Sequence, residues 1–166
     1  MLLLLWDASA LVKRYVPETG SDVVYELFAH TTTKQMVATF VGYGEAHAVL
    51  VRKRNRGELS VSSFRAAVTA LQNEVINDPD FGVLDVESSA ILAGLALVEK
   101  HNLNSSDSAI LATFLRYAQL EAADGNRCLL LAADARLNRA ARSEGLDALD
   151  PESVAVSDVA SVLSTM

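Results

Sequence analysis

The chain has 166 residues, of which 51% are hydrophobic, and its formal net charge is −7 at pH 7. This length can bury one substantial core, so the sequence predicts a single domain. The acidic balance argues against tight, non-specific binding to duplex DNA, which requires a basic surface. The first apolar run is too short to span a membrane and has no basic leader, so we expect a cytoplasmic protein without anchor or signal peptide.

Sulfur and imidazole groups are scarce. The one cysteine, Cys128, lies inside an apolar run, where a buried structural thiol is expected. The three histidines are scattered without metal-ligand spacing. The sequence therefore excludes disulfides and zinc-finger sites, and it offers no Ser-His-Asp or Cys-His arrangement for nucleophilic catalysis.

Short apolar runs alternate with longer helical patterns along the chain. Strands are predicted over residues 2–6, 35–38, 81–86, 128–132 and 146–149. Helices are predicted over residues 10–15, 22–29, 40–56 (with Thr39 as N-cap), 60–76, 88–101, 106–121 and 135–144. Such alternation predicts an α/β fold of three layers, with a central parallel sheet of four or five strands covered by helices on both faces.

The first strand ends at a carboxylate. Residues 2–6 are entirely apolar, Asp7 follows them directly, and Ser9 comes two residues later. Ligands of open α/β sheets gather at the carboxyl ends of parallel strands, so Asp7 is a candidate site residue. The alternative is that Asp7 or Ser9 only caps the following helix.

A second acid, Glu45, lies in the first turns of the long helix. The helical period brings Val41, Val49 and Arg52 onto nearly the same face, so the carboxylate is expected to be partly enclosed. A buried carboxylate needs a cation or a hydrogen-bonding network as its partner. The alternative is an ordinary helix acid paired with Arg52.

Two later acids complete the candidate set. Asp107 heads the core-facing stripe of its helix, for which Ser105 or Ser106 is predicted as the N-cap. Asp134 follows the fourth strand as Asp7 follows the first, although an acid at this point is also a frequent helix cap. The further acids at strand positions, which stay open as alternatives, are Asp85 and Asp147.

At these positions the chain resembles the PIN-domain family, and within it the VapC-type toxins of toxin-antitoxin pairs. The resemblance is carried by four segments in this order: Asp7-Ala8-Ser9-Ala10-Leu11-Val12-Lys13, Gly44-Glu45-Ala46, Ser106-Asp107-Ser108-Ala109-Ile110 and Ala133-Asp134-Ala135-Arg136-Leu137. Their order and spacing cover nearly the whole chain. The resemblance implies one PIN-like domain over residues 1–150, with residues 151–166 as a tail packed on it or extending from it.

The resemblance also implies an activity. VapC-type proteins hydrolyse RNA with Mg²⁺ or Mn²⁺, and their metal ligands correspond here to Asp7, Glu45, Asp107 and Asp134, with Ser9 supporting the site. Hard oxygen ligands of this kind suit Mg²⁺. The expected partners are RNA, a small antitoxin protein and a second copy of the chain. The candidate RNA contacts are Lys13, Arg14, Arg52 and Arg56.

Three other functions are alternatives to the ribonuclease. The main alternative is a catalytically silent module with the same fold that acts by binding a protein. A phospho-receiver domain is disfavoured, because Asp7 has no acidic neighbour and no lysine follows the fourth strand. A haloacid-dehalogenase-type phosphatase is disfavoured because it would need a second aspartate where Ser9 stands.

Overall fold

The computed structural model describes residues 1–165. The strands are β1 (Leu2–Trp6), β2 (Met36–Thr39), β3 (Gly82–Leu84), β4 (Arg127–Leu131) and β5 (Asp147–Leu149). The α-helices are α1 (Ala8–Leu11), α2 (Ser21–His30), α3 (Phe40–Asn55), α4 (Val61–Leu71), α5 (Ser88–His101), α6 (Ser105–Ala123), α7 (Ala135–Ser143) and α8 (Val159–Thr165). Short 3-10 turns lie at Val12–Arg14, Thr33–Gln35 and Val156–Asp158, and a π-helix, Gln72–Ile76, extends α4.

The five described strands form one parallel sheet in the order β3-β2-β1-β4-β5. β1 is central, with Leu5 opposite Val37 of β2 on one side and Leu130 of β4 on the other. In chain order, β2 and β3 lie on one side of β1, and β4 and β5 lie on the other side. The switch point between β1 and β4 is where open α/β sheets bind their ligands. The predicted three-layer α/β fold with a parallel sheet is confirmed.

Alternate residues of β1 enter two separate cores. Leu4 and Trp6 pack in the core that α1 to α4 and α8 cover, whereas Leu5 packs in the core under α5, α6 and α7. All three side chains are fully buried. This explains why β1 is apolar throughout, since a central parallel strand is covered on both faces.

Several element boundaries differ from the predictions. The first helix begins earlier than expected, at Ala8, because Asp7 caps it, and it ends at Leu11 before a 3-10 turn. The helix predicted over 60–76 is α-helical only to Leu71. The third strand has three residues instead of six, and it lies at the sheet edge, where it pairs with β2 alone.

The segment after β5 packs on the same body. Val159 of α8 is fully buried, and Glu152 accepts a hydrogen bond from Lys13 Nζ at 2.6 Å. Gly20 has a φ of 82°, and a Cβ at this position would lie 2.8 Å from the carbonyl oxygen of Pro151, so only glycine fits. The end of the predicted tail, Met166, lies outside the described residues.

None of the helices within residues 1–165 is both long and apolar enough to cross a membrane.

Candidate active site

Asp7 lies at the carboxyl end of the central strand. Its backbone N–H donates to the carbonyl oxygen of Leu131 at 3.0 Å, which holds the ends of β1 and β4 together. Its side chain caps α1 and accepts hydrogen bonds at Oδ2 from the Ser9 backbone N–H at 2.9 Å and from Ser9 Oγ at 2.5 Å. Asp7 is only 5% exposed. Burial raises the pKa of this carboxyl group, against the opposing effect of the Ser9 hydrogen bonds.

Ser9 connects the two loops that leave the sheet at this edge. Its hydroxyl donates to Asp7, and the same Oγ accepts a hydrogen bond from the backbone N–H of Ala133 at 2.9 Å. Ala133 comes directly before Asp134. Ser9 therefore fixes the segment that carries one candidate acid relative to another.

Glu45 approaches this edge from α3. The helix begins where predicted, because Thr39 Oγ1 accepts a hydrogen bond from the Gly42 backbone N–H at 2.9 Å. The half-buried carboxylate of Glu45 accepts a hydrogen bond from Ser106 Oγ at the start of α6. Arg52, the alternative partner considered from the sequence, has an exposed side chain.

Asp107 lies in the first turn of α6. The N-cap of this helix is Asn104 and not Ser105 or Ser106, so that part of the sequence prediction is wrong. Asn104 Oδ1 accepts from the Asp107 backbone N–H, and Asn104 Nδ2 donates to Asp107 Oδ2, both at 2.8 Å. The reciprocal pair satisfies the helix terminus and orients the acid, an arrangement related to the capping box.

Asp134 caps α7. Its Oδ1 accepts hydrogen bonds from the backbone N–H groups of Arg136 at 2.7 Å and Leu137 at 3.1 Å. The capping role considered from the sequence is therefore present. It uses one carboxylate oxygen for both hydrogen bonds, so capping does not by itself exclude a second role.

The four acids share one electrostatic environment. Burial, followed by the charges of Asp7, Glu45 and Asp134, raises the pKa of Asp107 to about 6. The nearby guanidinium of Arg136 acts in the opposite direction. The charges of Asp7, Glu45 and Asp134 all act on Asp107, and hydrogen bonds from Ser106 to Glu45 and from Ala133 to Ser9 join the segments that carry the acids. The fold therefore brings the predicted acids to the same edge of the sheet.

These acids match a divalent cation in their chemistry. As the side chains stand, no three His, Cys, Asp or Glu residues within 1–165 are grouped closely enough to hold a metal ion. Each of the four carboxylates instead accepts hydrogen bonds from neutral hydroxyl, amide or backbone groups. All four offer the hard oxygen ligands that Mg²⁺ prefers. Binding would require the side chains to turn towards a shared point.

Two of the predicted RNA contacts are engaged elsewhere. Lys13 is 2% exposed, and its Nζ pairs with Glu18 at 2.9 Å and Glu152 at 2.6 Å. Arg14 makes two hydrogen bonds to Glu74, at 3.1 and 3.2 Å, and its guanidinium lies over an aromatic ring of α2. These contacts stabilise the fold around α1 and do not support a role in RNA binding.

The remaining cations lie on the surface. Arg52 and Arg56 are exposed on α3, and Arg56 lies 3.9 Å from Glu58. Arg136, which is not among the predicted RNA contacts, is exposed in the first turn of α7 and close enough to Asp107 to affect its pKa. Its place two residues after a candidate acid at a helix start is the sequence signal that could have identified it.

The other acids and the thiol stand apart from this group. Asp85 lines a cavity of about 320 Å³ beside β3 and α6, and Asp147 lies 3.8 Å from Arg127 at the start of β5. Neither is among the main charges that perturb the pKa of Asp107.

Burial raises the pKa of Cys128 to about 11, so this half-buried thiol is protonated at neutral pH.

Solved structures share this architecture. The crystal structure of PAE2754 from Pyrobaculum aerophilum is similar with a TM-score of 0.60 and 20% identity, over 97% of this chain and 99% of that one. The structure of FitAB bound to an IR36 DNA fragment has a TM-score of 0.65 and 12% identity, over 92% and 98%. A toxin-antitoxin complex from Klebsiella pneumoniae has a TM-score of 0.55 and 15% identity, over 91% and 99%.

Sequence comparison adds nothing to these likenesses, because no protein-family model and no curated protein sequence matches the chain. At identities of 12–20% the structural likeness concerns the fold. The chain therefore has the three-layer, PIN-like α/β fold of these structures over nearly its full length.

Proposed function

We propose that this chain is a metal-dependent endoribonuclease and the toxin of a VapBC-type toxin-antitoxin pair. The observation that carries the proposal is the group of Asp7, Glu45, Asp107 and Asp134, whose mutual repulsion contributes to an Asp107 pKa of about 6. Repelling carboxylates at a ligand-binding edge are costly without a cation, which makes a divalent cation the natural partner.

The four carboxylates would hold Mg²⁺ or Mn²⁺. The bound cation would lower the pKa of a water molecule and neutralise charge on the scissile phosphate. With that chemistry supplied, the chain needs no histidine base and no covalent nucleophile.

The remaining residues have supporting roles. Ser9 fixes the position of Asp7 relative to the segment that carries Asp134, because its hydroxyl hydrogen-bonds to both Asp7 and Ala133. Burial excludes water from the Asp7 carboxylate. Arg136, Arg52 and Arg56 provide the positive charge that meets RNA phosphates. Lys13 and Arg14 are left out of this set because their ion pairs already occupy them.

The proposed protein partners are a small antitoxin and a second copy of the chain. The antitoxin proposal is supported by the fold shared with the toxin-antitoxin complex from Klebsiella pneumoniae. The homodimer proposal is supported by an apolar face of α5, where Ile91, Leu92 and Leu95 are 50%, 68% and 53% exposed. Soluble monomers rarely expose several large aliphatic side chains in one patch.

The deciding experiment is cleavage of a mixed RNA pool by purified, antitoxin-free protein in Mg²⁺, in Mn²⁺ and in EDTA. The variants are Asp7→Asn and Asp107→Asn, and the matched control is Asp124→Asn, an exposed acid at the other end of α6. We expect metal-dependent cutting that both site variants lose and the control keeps. Folded protein that cuts nothing with either metal would instead favour the catalytically silent binding module.

A further inference from the structure

Ser106 contacts the side chain of a candidate metal ligand on another helix. It is the second residue of α6, and its Oγ donates to Glu45 Oε1 on α3, 61 residues away in sequence. Both side chains are half-buried. The hydrogen bond therefore connects the helix that carries one candidate ligand, Asp107, to the side chain of another.

The donor to Glu45 is a neutral hydroxyl group, which suits a carboxylate that binds a cation. A glutamate side chain has three rotatable bonds, and ordering it costs conformational entropy. A hydroxyl that holds one carboxylate oxygen lowers that cost in advance and leaves the other oxygen with free lone pairs. Because the hydroxyl is neutral, it does not compete with a cation for the negative charge, as an arginine or lysine at this position would.

The neighbouring residues show that this contact is specific to Ser106. Asn104 holds Asp107 at the same turn, whereas the adjacent Ser105 is exposed, and its backbone oxygen accepts from Ser108 Oγ. A single turn of α6 thus orients two of the four acids through two different side chains.

We propose that Ser106 is a positioning residue that presets the Glu45 carboxylate for a divalent cation. This inference rests on the proposed function, because it assumes that Glu45 is a metal ligand. Residues that hydrogen-bond to metal ligands typically change metal affinity 10- to 100-fold when they are removed. Loss of the Ser106 hydroxyl is therefore expected to weaken cation binding about 10-fold or more.

The test is calorimetric titration of Mn²⁺ into the purified chain, for the wild type and for Ser106→Ala, Ser106→Thr and Ser105→Ala. Alanine is favourable in a helix, so the fold should be retained, and thermal melts in EDTA check this. We expect weaker Mn²⁺ binding for Ser106→Ala only. Threonine keeps the hydroxyl and should preserve the affinity, and Ser105→Ala is the matched control.

The outcomes separate this inference from the proposal beneath it. If the wild type binds Mn²⁺ and Ser106→Ala binds it equally well, the positioning role is wrong and the ribonuclease proposal stands. A lowered melting temperature with unchanged Mn²⁺ affinity would mean that the hydrogen bond only joins α3 to α6, which also overturns the inference. A wild type that binds no Mn²⁺ at all overturns both.

Discussion

Replacing Asp107 with asparagine should stabilise the metal-free protein at neutral pH. The substitution removes the negative charge but keeps a side-chain oxygen that can accept from Asn104. Burial and three neighbouring carboxylates raise the pKa of Asp107 from 3.8 to about 6, so its ionised form is disfavoured in the fold. Asparagine resembles the protonated form that the fold prefers.

The size and sign of the effect follow from linkage. A shift of about two units corresponds to about 3 kcal/mol if it were fully expressed. Asp107 is half-buried, so solvent screening reduces this to about 1 kcal/mol. Because the folded-state pKa is the higher one, the contribution of Asp107 to stability is fully present below about pH 4 and is lost as the pH rises through about 6.

The assay is thermal unfolding in EDTA at pH 4 and pH 7.5. At pH 7.5 we expect Asp107→Asn to melt roughly 2–4 °C above the wild type, and at pH 4 the two should coincide. Adding Mg²⁺ should reverse the order, because the wild type binds the cation more tightly than the variant. An equal or lower melting temperature for Asp107→Asn in EDTA at pH 7.5 would refute the repulsive cluster.

Four further substitutions extend the test. Asp7→Asn should also raise the melting temperature in EDTA at pH 7.5 while abolishing RNA cleavage; a lowered value would contradict the expectation. Lys13→Ala should cost about 2 kcal/mol in urea unfolding, because it removes the buried cation that Glu18 and Glu152 share and leaves Glu18 with Lys53 alone. Leu92→Glu should convert dimer to monomer in light scattering, whereas Val61→Glu, at a similarly exposed site on α4, should not. Arg52→Ala should weaken RNA binding and reduce its salt dependence by about 0.7 in log–log slope; an unchanged slope would remove it from the interface.

The strand ends were the part of the site most accessible from the sequence. An apolar run that stops at Asp7 predicts a central parallel strand and its carboxyl edge, because only a strand covered on both faces is apolar at every position. The bounds of α5 were also predicted correctly, because polar residues lie at both ends of its apolar helical pattern. These features are local in sequence, so local patterns contain them.

The parts that escaped prediction depend on contacts between distant segments. No local pattern indicates that Lys13 is buried between Glu18 and Glu152, the latter 139 residues away, and its charge suggested a surface role instead. The contact from Ser106 to Glu45 is equally non-local. Metal binding by the four acids stays a prediction. The fold determines how close the acids lie to one another, but it does not determine whether a cation binds to them.

The layout of α3 bears on the proposed binding of RNA by an acidic chain. Glu45 and Arg52 are seven residues apart, which places them on nearly the same helix face and about 10 Å apart along the axis. Arg52 is therefore displaced from Glu45 along the helix, and the Glu45 carboxylate accepts a hydrogen bond from Ser106 instead. If the chain acts on RNA as proposed, its acidic net charge would disfavour binding that depends on phosphates alone, and it would favour RNA that reaches the carboxylates and the arginines together.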